Sequence, residues 1–337
     1  MPRPRLTAIA FVVAVAPVAG IATPLSYLRT YGPAADPITT LGWGLGLIAS
    51  FVCAIVGVLL LAAIFRSRPE PLDAAGRPVL QRDAGGMQFV YVGVGLSAIV
   101  LFAATVWTLI TLSAVAAVPN TVAAGIHVVG HQWWWEVRYE GTTRSPGFTT
   151  ANEIHVPVGA PVRVEVTSPD VIHSFWVPQL GGKLDVVPGQ RNVTWLEAAQ
   201  AGVYQGRCAE YCGLQHAHMA LTVVAVPAEQ FEAWLAREAA DADAQALGAL
   251  PGAANFEARC AACHTVRGTT AHGIVGPDLT HVATRRTLAA GTLPNDRVNL
   301  VRWIAAPQDL KPGCRMPRLG LPADELDRVA AYVERLH

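Results

Sequence analysis

The sequence predicts a multidomain chain: a hairpin of two membrane-crossing helices, an all-β unit and a small all-α unit. Three observations predict it. Two long runs carry no charge, Leu41 to Phe65 and Ala84 to Gly125. Between Gly125 and Val226, short apolar–polar alternations rich in β-branched residues are separated by Gly, Pro and Asn, the pattern of short strands in a sandwich or barrel. Beyond Asn255 the spacing turns helical, closing on Leu326, Val329, Ala330, Val333 and Leu336 along one face. A length of 337 residues suits two or three such units. Formal net charge is zero and only 15% of residues are charged, so the charge balance points to neither nucleic acid nor an acidic substrate.

Residues 1–22 begin with Arg3 and Arg5, run apolar from Leu6 and end in small residues, which reads as a secretory signal. The alternative, a retained first membrane helix, is disfavoured by Pro17, Pro24 and the short apolar run. The hairpin is placed at 37–118, with helices at about 41–65 and 89–112. At 1.5 Å per residue the first is about 37 Å long, enough to cross a bilayer with some tilt. Arg66, Arg68, Arg77 and Arg82 in the connecting loop place that loop in the cytoplasm, and everything after about Val118 on the opposite side. Cys53, inside the first span, reads as a small buried apolar filler. The all-β unit is placed at 119–228, a helix and Ala/Asp-rich linker at 229–254, and the all-α unit at 255–337.

Six cysteines, Cys53, Cys208, Cys212, Cys260, Cys263 and Cys314, are spaced for metal and haem chemistry rather than for a disulfide framework. Cys208-Ala-Glu-Tyr-Cys-Gly-Leu-Gln-His-Ala-His-Met219 offers two thiolates, an imidazole and a thioether, and soft sulfur donors with imidazole select copper. One blue-copper ion needs one Cys, two His and a weak axial Met; two Cys suit two bridged coppers, with a second His supplied from elsewhere. His173, in Asp170-Val-Ile-His-Ser-Phe-Trp-Val-Pro178, is the candidate. Zinc or a structural cysteine pair is the alternative, but zinc rarely takes Met. Cys260-Ala-Ala-Cys-His264 is a c-type haem attachment motif, and Lys311-Pro-Gly-Cys-Arg-Met-Pro317 supplies Met316 as a second axial donor; His/Met ligation raises the haem potential and suits electron transfer. His127, His131, His155 and His218 read as non-ligands, as do His272, His281 and Cys314.

The spacing Cys-x3-Cys-x3-His-x2-Met, preceded by His-Ser-Phe, resembles subunit II of the haem–copper cytochrome c oxidases. The resemblance implies a Greek-key cupredoxin barrel holding a dinuclear copper A centre. Its ligands would be His173, Cys208, Glu210 through the backbone carbonyl, Cys212, His216 and Met219. It gives the Glu210 side chain a second role at a magnesium site shared with subunit I. Within Gly130-His-Gln-Trp-Trp-Trp135, Trp133 matches the residue at which electrons enter, and Gly181-Gly-Lys-Leu-Asp185 matches a segment facing subunit I. One departure is Gln190, with Arg191 next, where the family has an arginine in register. The C-terminal unit resembles class I cytochromes c, which implies covalent haem on Cys260 and Cys263 with His264 and Met316 on the iron. Gly276-Pro-Asp-Leu279 matches the loop packed against that haem.

The function so implied is that of subunit II of a terminal cytochrome c oxidase, an oxidoreductase and translocase. Electrons pass from haem c to copper A and on to the haem of subunit I, where oxygen is reduced. Implied partners are subunit I and the other oxidase subunits, the lipid bilayer, and a donor that is a soluble cytochrome c or a quinol–cytochrome c reductase complex. The implied location is the bacterial inner membrane, multi-pass, with both metal domains periplasmic. The rival readings are the copper A subunit of a nitric oxide reductase-like complex and a copper-storing membrane protein.

Overall fold

The computed structural model describes residues 25–66, 75–76, 86–141 and 145–337. The expected signal at 1–22, the 67–74 and 77–85 parts of the inter-helix loop with three of its arginines, and Glu70 lie outside them. Helices α1 (Asp36–Phe65) and α2 (Gly86–Ala116) form the hairpin, each long and apolar enough to cross a membrane. Both are longer than the expected helices at 41–65 and 89–112. Helix α1 gains a turn because Pro37 is preset for the first helical position and Asp36 sits favourably at the positive end of the helix dipole. Gly44 lets the helices touch: a Cβ there would lie 2.2 Å from the Trp107 ring. Cys53 is exposed rather than buried; two helices enclose no interior, so its thiol faces outward.

The β unit contains β1 (Ala124–His131), β2 (Trp134–Tyr139), β3 (Phe148–Ala151), β4 (Glu153–Pro157), β5 (Val162–Thr167), β6 (His173–Trp176), β7 (Leu184–Val186), β8 (Asn192–Leu196), β9 (Gly202–Cys208) and β10 (Ala220–Val226). They make two five-stranded sheets, ordered β3-β2-β1-β5-β8 and β4-β10-β9-β6-β7. The parallel pairs β1/β5 and β4/β10 come from long crossovers within an otherwise antiparallel arrangement, as in a cupredoxin-like sandwich. Alternation sets the inner face: β5 buries Val162, Val164 and Val166 and turns Arg163 and Glu165 outward. Each such valine contributes roughly 1.5–3 kcal/mol by leaving water.

The segment before α1 is tied to this sandwich. Tyr31 N–H donates to the Gln179 carbonyl at 2.8 Å, Tyr31 O accepts from Ala199 N–H at 2.7 Å, and Ala34 and Ala35 are buried. At the other end of the hairpin, Trp195 Nε1 donates to Val115 O at 3.1 Å. The membrane anchor is therefore fastened to the sandwich at both of its outer ends.

Helix α3 (Ala228–Ala239) lays Phe231, Trp234 and Leu235 into the sandwich core, with Trp234 stacked on His155 at 4.1 Å. Within the expected helix and linker at 229–254, α3 ends at Ala240, which is extended, and Asp243 then caps a new short helix, α4 (Ala244–Gly248). Although its composition reads as a linker, this stretch packs: Leu247 is buried in the second core. The all-α unit adds α5 (Ala253–Arg259), α6 (Arg297–Ala305), α7 (Pro307–Leu310) and α8 (Ala323–Val333). Helix α8 buries Val329, Ala330, Tyr332 and Val333, and Tyr332 stacks on Phe256 at 4.7 Å. Gly252 permits that approach, since a Cβ there would meet Arg328 O at 2.1 Å.

Candidate functional site

Strand pairing brings His173 to the cysteine loop. Phe175 on β6 pairs with Cys208 at the end of β9, and Ala209 N–H donates to Ser174 O at 3.0 Å. The loop from Cys208 to Met219 is the β9–β10 connection, closed at its base by Cys208 N–H donating to Met219 O at 3.0 Å. Residues 35 positions apart thus meet. Cys208 Sγ lies 3.7 Å from Cys212 Sγ, 3.9 Å from His173 Nδ1 and 3.2 Å from the Glu210 carbonyl oxygen. Cys212 Sγ lies 3.6 Å from His216 Nδ1 and 3.9 Å from Met219 Sδ. All six expected donor groups therefore converge, and His173, Cys208, Cys212 and Met219 are buried. Gly213 shapes the loop with φ +113°, a conformation side-chain-bearing residues avoid.

The electrostatics suit a cation held by thiolates. The hydrogen bond shared with Cys212, aided by His173, holds the Cys208 thiol down at about 3 against burial; the same sharing and burial push Cys212 up. A metal binding such a pair displaces the shared proton. Asp170 orients the imidazole. Its Oδ1 accepts from His173 Nε2 at 2.8 Å and Val171 N–H at 2.7 Å, and its Oδ2 from Gln132 N–H at 2.8 Å. Burial opposes ionisation of this carboxyl, yet these bonds hold it at about 2. A carboxylate can accept but not donate, so the His173 proton sits on Nε2 and Nδ1 is left free toward the sulfurs. Sequence reasoning passed over Asp170, although a carboxylate three residues before a candidate ligand histidine was visible.

The three tryptophans take different roles. Trp133 is buried and its Nε1 donates to the Cys212 carbonyl at 3.0 Å; Trp134 stacks on His131 at 4.5 Å; Trp135 is fully buried, edge-on to His173 at 5.9 Å. On the surface beside the loop, Lys183 Nζ lies 3.3 Å from Asp185 and 3.6 Å from Glu210.

In the all-α unit a cavity is walled by Cys260, Cys263, His264 and Met316. His264 Nδ1 donates to Pro277 O at 2.8 Å, which leaves Nε2 as the free donor atom. Arg285 on the same wall is buried, with Nε lacking any hydrogen-bond partner. A buried orphan guanidinium atom facing an apolar cavity fits a planar group carrying carboxylates, and the two thiols fit covalent attachment; the residues present thus suit haem. The cavity reaches the sandwich, because Trp133 and Trp134 also line it.

Five of the six histidines set aside as non-ligands have other partners. His127 bonds Thr167 Oγ1 at 2.8 Å, His131 bonds Glu136 at 3.1 Å and His155 bonds Glu153 at 2.9 Å. His218 bonds Gln215 at 2.7 Å, and His281 donates to Ala240 O at 3.0 Å.

Comparison with known proteins finds two matching domains. Residues 142–226 match the family model described as cytochrome c oxidase subunit II, periplasmic domain, and residues 249–337 match that described as cytochrome c. These domains imply copper A and haem. Cytochrome c oxidase subunit 2 of Alkalihalophilus pseudofirmus is 40% identical over 221 residues, 64% of this chain and 62% of that protein. The subunit 2 of Bacillus sp. (strain PS3) is 32% identical over 231 residues, 64% of this chain and 63% of that one. The chain therefore spans less than two thirds of the length of these relatives. A solved structure of the periplasmic domain of subunit II from Bradyrhizobium japonicum is 34% identical, covering 36% of this chain and 96% of that one with a TM-score of 0.33. The chain thus carries a segment similar to the periplasmic domain of cytochrome c oxidase subunit II, followed by a segment similar to cytochrome c.

Proposed function

We propose that the chain is the electron-input subunit of a haem–copper terminal oxidase. In this reading His173, Cys208, Glu210 O, Cys212, His216 and Met219 hold two coppers. Cys260 and Cys263 bind haem covalently, and His264 and Met316 take its axial positions. Both groups, when bound, supply one-electron redox centres. Electrons pass from the haem cavity past Trp133 to the copper site, then to the haem of subunit I, where oxygen is reduced to water. The donor to this chain is a soluble cytochrome c or a quinol–cytochrome c reductase complex. The Glu210 carboxylate, on the surface with Lys183 and Asp185, is the group offered to a magnesium ion shared with subunit I. The helices sit in the bacterial inner membrane with both metal domains in the periplasm, the side favoured by arginines in the inter-helix loop.

One observation carries the reading: the indole of Trp133 lines the haem cavity and donates to the backbone of Cys212. One side chain thus bridges the two candidate centres. The chain's residues keep His173 and His264 in one tautomer, through Asp170 and Pro277 O, and keep His173, Cys208, Cys212 and Met219 buried and set before metal arrives. Preset ligands limit rearrangement on oxidation, and the tether replaces diffusional docking by a high effective concentration.

The test is metal analysis and electron paramagnetic resonance on the full chain purified from membranes. The expected result is two coppers per haem iron with one unpaired electron shared by both coppers. One copper, or zinc, would overturn the ligand assignment.

A further inference from the structure

The two metal domains meet over a buried lysine. Lys311 precedes the Met316 loop of the cytochrome domain and is 3% exposed. Its ammonium donates to three backbone carbonyls: Trp133 O at 2.7 Å, His218 O at 2.8 Å and Ala289 O at 2.9 Å. Two of these belong to the copper domain. Trp133 is the residue between the cavities, and His218 lies on the ligand loop between His216 and Met219. The third belongs to the cytochrome domain itself. An ammonium has three donors and no acceptor, so this site satisfies it completely. No carboxylate is among its bonded partners, and burial holds the ammonium down at about 8. A charge kept in so unfavourable a place marks a position set by something other than folding of the cytochrome domain alone.

The backbone around Lys311 is shaped for the same contact. Ala289 and Ala290 have φ of +51° and +58°, left-handed values that side-chain-bearing residues rarely adopt. This turn points Ala289 O at Lys311 and Ala290 O at Ala220 N–H, 3.0 Å away and one residue past Met219. On the other flank Gln215 Nε2 donates to Pro312 O at 2.8 Å. The contact thus joins the copper ligand loop to both ends of the Ala289–Pro312 stretch.

We propose that Lys311 is an interdomain latch: its three carbonyl bonds hold the cytochrome domain docked, with the haem cavity closed by Trp133. It is a positioning residue: it stands in the wall of the haem cavity, but its ammonium is committed to the three carbonyls and ligates neither centre. The geometry stands by itself; the consequence for electron flow rests on the proposed function. With the latch made, the Trp133 indole, the Met316 loop and the His216–Met219 segment are fixed relative to one another. Without it, Trp133 O and His218 O lose the lysine donor, Ala289 O keeps only Thr292 Oγ1, and the tethered domain samples undocked positions.

The experiment compares wild type, Lys311→Met, Lys311→Gln and Gln215→Ala in the assembled, metal-loaded complex. Two quantities are read: the haem–copper distance distribution by pulsed electron paramagnetic resonance, and the rate of haem-to-copper electron transfer after flash reduction. K311M is expected to broaden the distribution and slow transfer ~10-fold or more, since each bond to a charged donor is worth at least a factor of about ten. K311Q, keeping two donors, falls between K311M and wild type, and Q215A, which loses the single flanking bond to Pro312 O, shows a smaller effect than K311M. Haem absorbance and the copper signal remain those of wild type, as required if Lys311 positions rather than ligates. An unchanged distance distribution in both Lys311 variants overturns the latch, as does a Q215A effect equal to that of K311M. A wild type with a narrow distribution that broadens in K311M, yet without haem-to-copper transfer, leaves the latch standing and overturns the electron-carrier reading.

Discussion

Replacing Asp170 by asparagine tests how the copper site is preset. The carboxylate accepts from His173 Nε2, Val171 N–H and Gln132 N–H, each within 2.8 Å. Asparagine keeps one acceptor and turns the other into a donor. Either His173 Nε2 and Val171 N–H, or Gln132 N–H, must then face a like donor. Losing one hydrogen bond of a charged acceptor costs about 1.5–3 kcal/mol. Removing the carboxylate partner of a metal-binding imidazole typically costs 10–100-fold in affinity, or about 1.4–2.7 kcal/mol. The two estimates agree because the energy that orients the ring is the energy withdrawn. The assay is copper titration of the copper-free chain against a competing chelator, read by the paired-copper signal, with haem absorbance as the internal control. Copper affinity is expected to fall ~10–100-fold while the haem spectrum stays unchanged. Wild-type affinity in D170N would refute the claim that Asp170 orients His173, and so would an affinity loss matched by loss of the haem spectrum.

Three further outcomes are expected. Gly276→Ala places a Cβ 2.5 Å from His264 Cε1, so the ring must shift off Pro277 O at a cost of about 1–3 kcal/mol; a redox titration should show a lowered haem potential with haem still covalently bound. Trp133→Phe keeps the aromatic ring but loses the 3.0 Å bond to Cys212 O; both spectra should persist while flash kinetics show slower transfer to copper. Glu238→Gln addresses pH. Burial pushes the Glu238 carboxyl up despite His281 and Arg285 nearby, so the folded chain disfavours its ionised form. That penalty is complete above the folded pKa and absent below the unfolded one. Thermal melts should therefore show E238Q more stable than wild type at about pH 8, with the gain vanishing at about pH 4.

What could be read from the sequence was chemistry at fixed spacing. The donors from Cys208 to Met219 lie within one hairpin connection, so their proximity is local and the spacing alone displays it. His173 was reachable through its own motif, but the reason it arrives, the β6–β9 register, is a long-range pairing with no sequence mark of its own. The helices were legible because lipid leaves no alternative to long uncharged runs. Their ends were less so, because Asp36 and Pro37 help start α1 by local backbone effects that hydropathy does not register. The linker misled for a different reason. Its Ala/Asp composition suggests a free chain, yet Arg267 donates to the carbonyls of Glu238 and Ala240, and His281 to Ala240 O. These residues finish α3 from the far domain, and only tertiary structure supplies them. Lys311 was in plain view within the Met316 motif, but nothing in that motif says that its ammonium turns toward another domain.

The contacts at the domain boundary also bear on assembly. The cytochrome domain meets the sandwich at the very segment that carries the copper donors: Gln215, His218 and Ala220 each bond to it, and all lie between or beside His216 and Met219. A loop whose backbone is pinned from outside has fewer conformations to lose when metal binds, so docking and copper loading favour each other. The coupling is reciprocal by thermodynamic necessity: copper in the loop should tighten docking as much as docking tightens copper. A chain lacking copper then has a looser cytochrome domain, and one lacking haem, with the Met316 loop unanchored, has a weaker copper site. On the proposed function, the two centres are thus linked in assembly through the backbone at this boundary.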